Sequence, residues 1–128
     1  MQPDIERFIE KQQIQELLLT YCRGIDRMDK NLVRSCYHED ATDEHGSFSG
    51  SVDEFMVWCW RLLSRYTMTM HYMSNMLIEI NGHRAQSECY GSAVHRGDTQ
   101  YPERNLLVGF RFVDVLEKRC GHWRILRR

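Results

Sequence analysis

Two long β-prone runs, Met68 to Ile80 and Arg84 to His95, flank the dipeptide Asn81-Gly82, and no other feature constrains this chain as much. Asn-Gly between such runs is the strongest short-range signal for a hairpin with a two-residue type I′ turn. The return run alternates Ala85, Ser87, Cys89, Gly91 and Ala93 with larger residues. Small side chains on one sheet face let a helix approach closely or leave room for a cavity. Leu106 to Leu116 reads as a further strand, and Lys118-Arg119-Cys120-Gly121-His122 turns into a last one that runs to Arg128.

The helices come first in the chain. Ile14, Leu17, Leu18, Tyr21, Cys22 and Ile25 fall on one helical stripe, and Ile5, Phe8 and Ile9 extend it toward the N-terminus. Asp29 is placed to cap a short helix over Lys30 to Tyr37. Glu39 to Gly50 is polar and turn-rich, with room for one short strand around Ala41 to Glu44. Ser51 and Glu54 then form a capping box ahead of the helical set Val52, Phe55, Met56, Cys59, Leu62, Leu63 and Tyr66. Helices followed by a meander of antiparallel strands predict an α+β fold, with the helices packed on one face of a curved, mostly antiparallel sheet. A pocket between the two layers is the natural ligand site.

A length of 128 residues predicts one domain spanning 1–128. Seventeen basic against eighteen acidic side chains leave a formal charge of −1, so no basic footprint for nucleic acid exists. No apolar run is long enough to cross a membrane, and the first six residues lack the layout of a signal peptide. Cys22, Cys36, Cys59, Cys89 and Cys120 are odd in number and widely spaced, which suits buried thiols in a reducing cytoplasm and offers no zinc site.

Two residues carry the chemical expectation. Asp26 lies one turn after Cys22, at the edge of the buried stripe, where an ionised carboxylate needs a partner. His71 lies in the bulky run Thr69-Met70-His71-Tyr72-Met73. A carboxylate bonded to one imidazole nitrogen leaves the other free as a general base near neutral pH. Spacing alone does not bring the two together.

The stretches Ile14-Gln15-Glu16-Leu17 through Tyr21-Cys22-Arg23-Gly24-Ile25-Asp26, then Thr69-Met70-His71-Tyr72 and Ser74-Asn75, resemble the SnoaL-like branch of the nuclear-transport-factor-two-like superfamily. Within it the chain is similar to scytalone dehydratase, the bile-acid dehydratases and hexachlorocyclohexane dehydrochlorinase. The resemblance implies a cone-shaped α+β barrel and a catalytic Asp–His dyad at Asp26 and His71. It also implies an apolar, often cyclic substrate and no metal or organic cofactor. A Tyr at the place of Tyr21 recurs in the dehydratases, and Arg128 matches a strand-end position that touches the active site in the dehydrochlorinase. Family members usually continue past this point with a segment that can close the pocket.

Further candidates line up behind these. Tyr37 and Tyr72 could border the cavity or serve as amphipathic core residues. His95 could be a second pocket histidine. A turn at Asn81-Gly82 pairs His71 with Ser92, however, and sets the two histidines on opposite faces unless a β-bulge intervenes. Arg111, between Phe110 and Phe112, could bind a substrate oxygen or snorkel to the sheet edge. His38, His45, His83 and His122 read as solvated loop residues, and Trp58, Trp60 and several methionines as determinants of pocket size. The expected function is a cofactor-independent lyase, of dehydratase or dehydrohalogenase type, or an isomerase acting on a small apolar ring. The alternative is a non-catalytic binding or assembly module like the small subunit of ring-hydroxylating dioxygenases. A ketosteroid-type isomerase would need Glu79 or Glu88 as a second acid. A homo-oligomer, trimer or dimer, is expected to cover the open sheet face.

Overall fold

The computed structural model describes residues 2–128. Helix α1 spans Gln2–Asp26, α2 Lys30–Ser35 and α3 Val52–Leu63; the strands are β1 Tyr37–His45, β2 Phe48–Ser51, β3 Met68–Asn81, β4 Arg84–Arg96, β5 Leu106–Arg119 and β6 His122–Arg127. The six strands form one curved sheet in the order β2-β1-β6-β5-β4-β3, mostly antiparallel, with β1 and β6 the parallel pair. The helices cover one face, as the segregated pattern predicted. The sheet does not close into a full barrel: β2 and β3 are free edges.

Local rules explain the helix boundaries. Asp29 caps α2 by accepting from Leu32 N–H at 3.0 Å, although α2 ends at Ser35, two residues before the expected Tyr37. Ser51 and Glu54 exchange both bonds of the capping box. Gly24 lets α1 and α2 meet, since a Cβ there would stand 2.7 Å from Val33 Cγ2. The helical stripe is the core: Ile14, Leu18, Tyr21, Cys22 and Ile25 are buried beside Val33, Phe55, Leu116 and Ile125.

The hairpin forms with one correction that leaves the faces unchanged and one feature that changes them. Asn81 pairs with Arg84, so the loop is Gly82-His83, with positive φ at Gly82 alone, the type II′ pattern. That moves the register by two relative to the expected turn and preserves the side-chain parity. Between Ser74 and Leu77 the register then slips by one, and Asn75 takes φ 49°. This bulge inserts an extra residue into β3. Beyond it Met76, Ile78 and Ile80 pack on the core; before it Met73 does, together with the inward-facing His71. Without the bulge, the pairing that buries Ile78 and Ile80 would aim His71 outward. His71 instead pairs with Ala93, and His95, two residues on, shares its face.

The region from Glu39 to Gly50 is more ordered than its composition suggested. It forms most of a nine-residue β1 and the start of β2. Its polar residues find tertiary partners: buried His38 donates from Nε2 to the Glu117 carbonyl at 2.6 Å, and fully buried Asp43 accepts from two side chains.

Candidate active site

A cavity of about 430 Å³ lies between sheet and helices. Tyr21 and Ile25 enter it from α1, His45 from β1, and Trp58, Cys59, Leu62 and Leu63 from α3. The sheet contributes His71, Ala93 and His95, and then Leu106, Val108, Phe110 and Phe112 at every second position of β5. Apolar walls with a few convergent polar groups are the usual character of a small-molecule site. Trp58 is the expected determinant of pocket size that does line it; Trp60 and the methionines lie elsewhere.

Asp26 and His71 meet. His71 Nδ1 donates to Asp26 Oδ1 at 2.6 Å, and the His71 backbone N–H donates to Oδ2 at 2.9 Å. Thr69 Oγ1 donates to Oδ1 at 3.1 Å. The carboxylate ends α1 and fastens the helix to β3 through three donors. With Nδ1 engaged, His71 keeps Nε2 for the cavity. The His95 ring stands 5.7 Å from that of His71, edge to face, and Tyr66 packs on its other side at 4.9 Å. Burial, then the neighbouring His71, lowers the His95 pKa below the ordinary histidine value, and its Nδ1 is buried without a hydrogen-bond partner.

Tyr21 sits edge-on to Tyr37 and Phe112. Burial raises its pKa well above the usual value, with Arg128 acting in opposition, so its phenol stays protonated. Arg128 is itself buried and joined to Asp114 by two bonds of 2.7 Å, Nε to Oδ1 and Nη2 to Oδ2. Its guanidinium lies 3.9 Å from the Phe112 ring centre and 4.5 Å from that of Tyr21. Burial, the largest single influence, opposes the charge, but Asp114, Tyr37 and Tyr21 together offset it and the group is held ionised.

The remaining candidates fall in different places. Tyr37 is a core residue outside the cavity lining; its hydroxyl donates to Asp43 Oδ2 at 2.7 Å, and burial raises its pKa. Tyr72 is exposed on the outer sheet face, because the bulge that turns His71 inward turns its neighbour outward. Arg111 borders the cavity between Phe110 and Phe112, yet it is exposed and shares its strand parity with the outward Leu107 and Val113. Glu79 and Glu88 lie outside the cavity and supply no second acid. His45, expected in a solvated loop, lines the cavity with its ring stacked on Phe55 at 5.1 Å. Its one legible signal was position, directly after the short strand expected around Ala41 to Glu44 and three residues before Phe48. Among the described residues no group of three or more His, Cys, Asp or Glu is arranged to hold a metal ion, and no helix is long and apolar enough to cross a membrane.

Comparison with known proteins agrees with this architecture. A protein provisionally assigned as a scytalone dehydratase, from Novosphingobium aromaticivorans, superposes with a TM-score of 0.87 at 19% identity, over 95% of this chain and 83% of that one. Hexachlorocyclohexane dehydrochlorinase LinA-type3 from Novosphingobium barchaimii gives 0.82 at 18% identity, over 97% and 86%. A Mycobacterium tuberculosis protein of unknown function gives 0.84 at 23%, over 98% and 73%. At these identities the likeness shows the fold. No curated protein sequence matches the chain. The SnoaL-like domain model matches residues 6–128, nearly the whole length, and the chain belongs to the SnoaL-like domain family.

Proposed function

We propose that the protein is a cofactor-independent lyase acting on a small, largely apolar cyclic molecule, with His71 as the general base. The observation that carries this reading is the 2.6 Å bond from His71 Nδ1 to Asp26 at the wall of an apolar cavity. Asp26 fixes the tautomer and balances the charge that His71 acquires. The free Nε2 takes a proton from a carbon of the substrate; the C–H electron pair becomes a double bond, and the leaving group departs with its own pair. Tyr21 stays protonated and is available to polarise a substrate oxygen. General base action of this kind is worth about 10² to 10⁴ in rate. An isomerase would use the same base and return the proton to another carbon. The dehydratase and dehydrochlorinase among the structural neighbours support this class of chemistry.

The test is a panel of cyclic β-hydroxy ketones and chlorinated cyclohexanes followed by product absorbance or chloride release. His71→Ala and Asp26→Asn are each expected to cut turnover steeply, by about 10² to 10⁴ for His71→Ala, while leaving the circular dichroism spectrum intact. A substrate turned over at full rate by either variant would sink the mechanism. Absence of turnover with tight binding of the same compounds would favour the non-catalytic binding module.

The same proposal includes self-association in a reducing compartment such as the cytoplasm. The outer sheet face exposes Leu77 at 72%, Leu107 at 74% and Val113 at 60%, a surface that a second or third copy would cover. A light-scattering mass equal to that of one chain would refute the dimer or trimer.

A further inference from the structure

The cavity contains a second imidazole–carboxylate pair that the mechanism above leaves unused. His45 Nδ1 donates to Asp43 Oδ1 at 3.1 Å, and Tyr37 holds the other carboxylate oxygen at 2.7 Å. Asp43 is completely buried, whereas His45 lines the cavity. An ionised carboxylate removed from water is costly without a countercharge. Of the two donors on Asp43, only His45 can bring one, as the imidazolium. Arg128, the buried cation of the same region, is committed to Asp114 through both carboxylate oxygens.

Position gives the pair its meaning. Phe110 and Phe112 form a shelf on β5, with ring centres 4.6 Å apart. His71 stands 6.2 Å from Phe110 at one end, and His45 stands 5.3 Å from Phe112 at the other. A molecule bound against the two phenylalanine rings, which are tilted 44° to each other, lies between the two imidazoles, each bonded through Nδ1 to a carboxylate with Nε2 left for the cavity.

We infer that His45, positioned by Asp43, is the proton donor to an oxygen of the bound molecule, acting across the phenylalanine shelf from His71. The inference rests on the reading of His71 as the base. In a dehydration the substrate C–H bond breaks and its proton passes to His71 Nε2, while its electron pair forms the C=C bond. The C–O bond breaks with both electrons going to oxygen, which takes the Nε2 proton of His45 and leaves as water. His71 ends protonated and His45 neutral; one proton returns through solvent, and nothing else is consumed. The substrates implied carry a poor, oxygen-centred leaving group. Halide, which needs no proton to depart, makes no demand on His45.

The test compares His45→Phe, which keeps a ring against Phe55, Trp58 and Phe112, with the wild-type full chain. The first arm titrates 4-nitrophenolate by absorbance. Loss of a charge-assisted hydrogen bond is expected to weaken its binding about tenfold to a hundredfold in His45→Phe. Asp43→Asn, which can still accept from Tyr37, should weaken it in the same direction. Equal affinity of wild type and His45→Phe, or no saturable binding by the wild type, overturns the inference. The second arm measures elimination from 3-hydroxycyclohexanone and 3-chlorocyclohexanone. The loss in kcat caused by His45→Phe should be at least about tenfold larger for hydroxide than for chloride, given the usual worth of a general acid. Equal losses on the two overturn it as well. His71→Gln reports separately: if it slows neither elimination, the base reading fails, whatever His45→Phe does.

Discussion

The buried Asp114–Arg128 pair offers the sharpest stability prediction. Both side chains are essentially inaccessible, at 0% and 1%, and the bonds are bidentate, each 2.7 Å long. Asp114→Asn keeps the shape and one acceptor but leaves a guanidinium without countercharge in the core. Breaking one half of such a pair costs about 3 to 5 kcal/mol. The rings of Phe112 and Tyr21, stacked 3.9 and 4.5 Å from the guanidinium, still attract the cation by about 2 kcal/mol once desolvated. They therefore favour the lower end of that range. Arg128 Nη1, buried and already without a partner, gains none from the substitution. At roughly 3 to 6 °C per kcal/mol for a chain of this size, Tm should fall by about 10 to 20 °C. The double variant Asp114→Leu/Arg128→Met removes both charges and should recover to within about 1 kcal/mol of the wild type, because matched apolar replacements of buried pairs are commonly neutral. Urea unfolding monitored by tryptophan fluorescence gives each free energy. A loss under about 1 kcal/mol for Asp114→Asn, or a double variant no more stable than the single, would refute the reasoning.

Two other predictions follow from the ionisable groups. Burial pushes the thiols of Cys22, Cys36 and Cys89 up to about 11 and that of Cys59 to about 12, while Cys120 is exposed. Ellman's reagent at pH 8 should therefore titrate one thiol per chain in the native protein and five in denaturant; rapid native reaction of more than one would contradict the burial. Burial and His71 depress the His95 pKa, so its neutral form is the one the fold favours. The unfolded chain then binds more protons, so this contribution is fully present above about pH 6.5 and is lost as pH falls through the folded value. His95→Phe should flatten that part of the pH–stability curve, and an unchanged slope would show that His95 is not its source.

What could be read from the chain, and what could not, divides along a physical line. The α1 stripe, the Asp29 cap and the Ser51–Glu54 box are local patterns, and each appears where the spacing placed it. The faces of β3 were not legible, because they depend on one inserted residue near Asn75. Asn tolerates the left-handed backbone that Asn75 adopts, but one Asn in a long strand does not announce an insertion, yet this one turns His71 inward onto the face of His95 and Tyr72 outward. The polar β1 segment misled for another reason. His38, Asp43 and His45 look solvated until the folded sheet and helix bring Glu117, Tyr37 and Phe55 against them to satisfy or cover them. Arg128 likewise gave only a positional hint, since its partner Asp114 sits on the neighbouring strand β5 among apolar residues.

The central claim is that Asp26 and His71 work as one unit. The direct measurement is kcat/KM for the wild type, Asp26→Asn, His71→Ala and the double variant on one cyclic substrate. Residues that act as a unit are strongly non-additive. The account predicts losses of about 10² to 10⁴ for His71→Ala, and a double variant no slower than His71→Ala alone. Undiminished turnover by His71→Ala, or a double variant slowed by the full product of the two single losses, would contradict it.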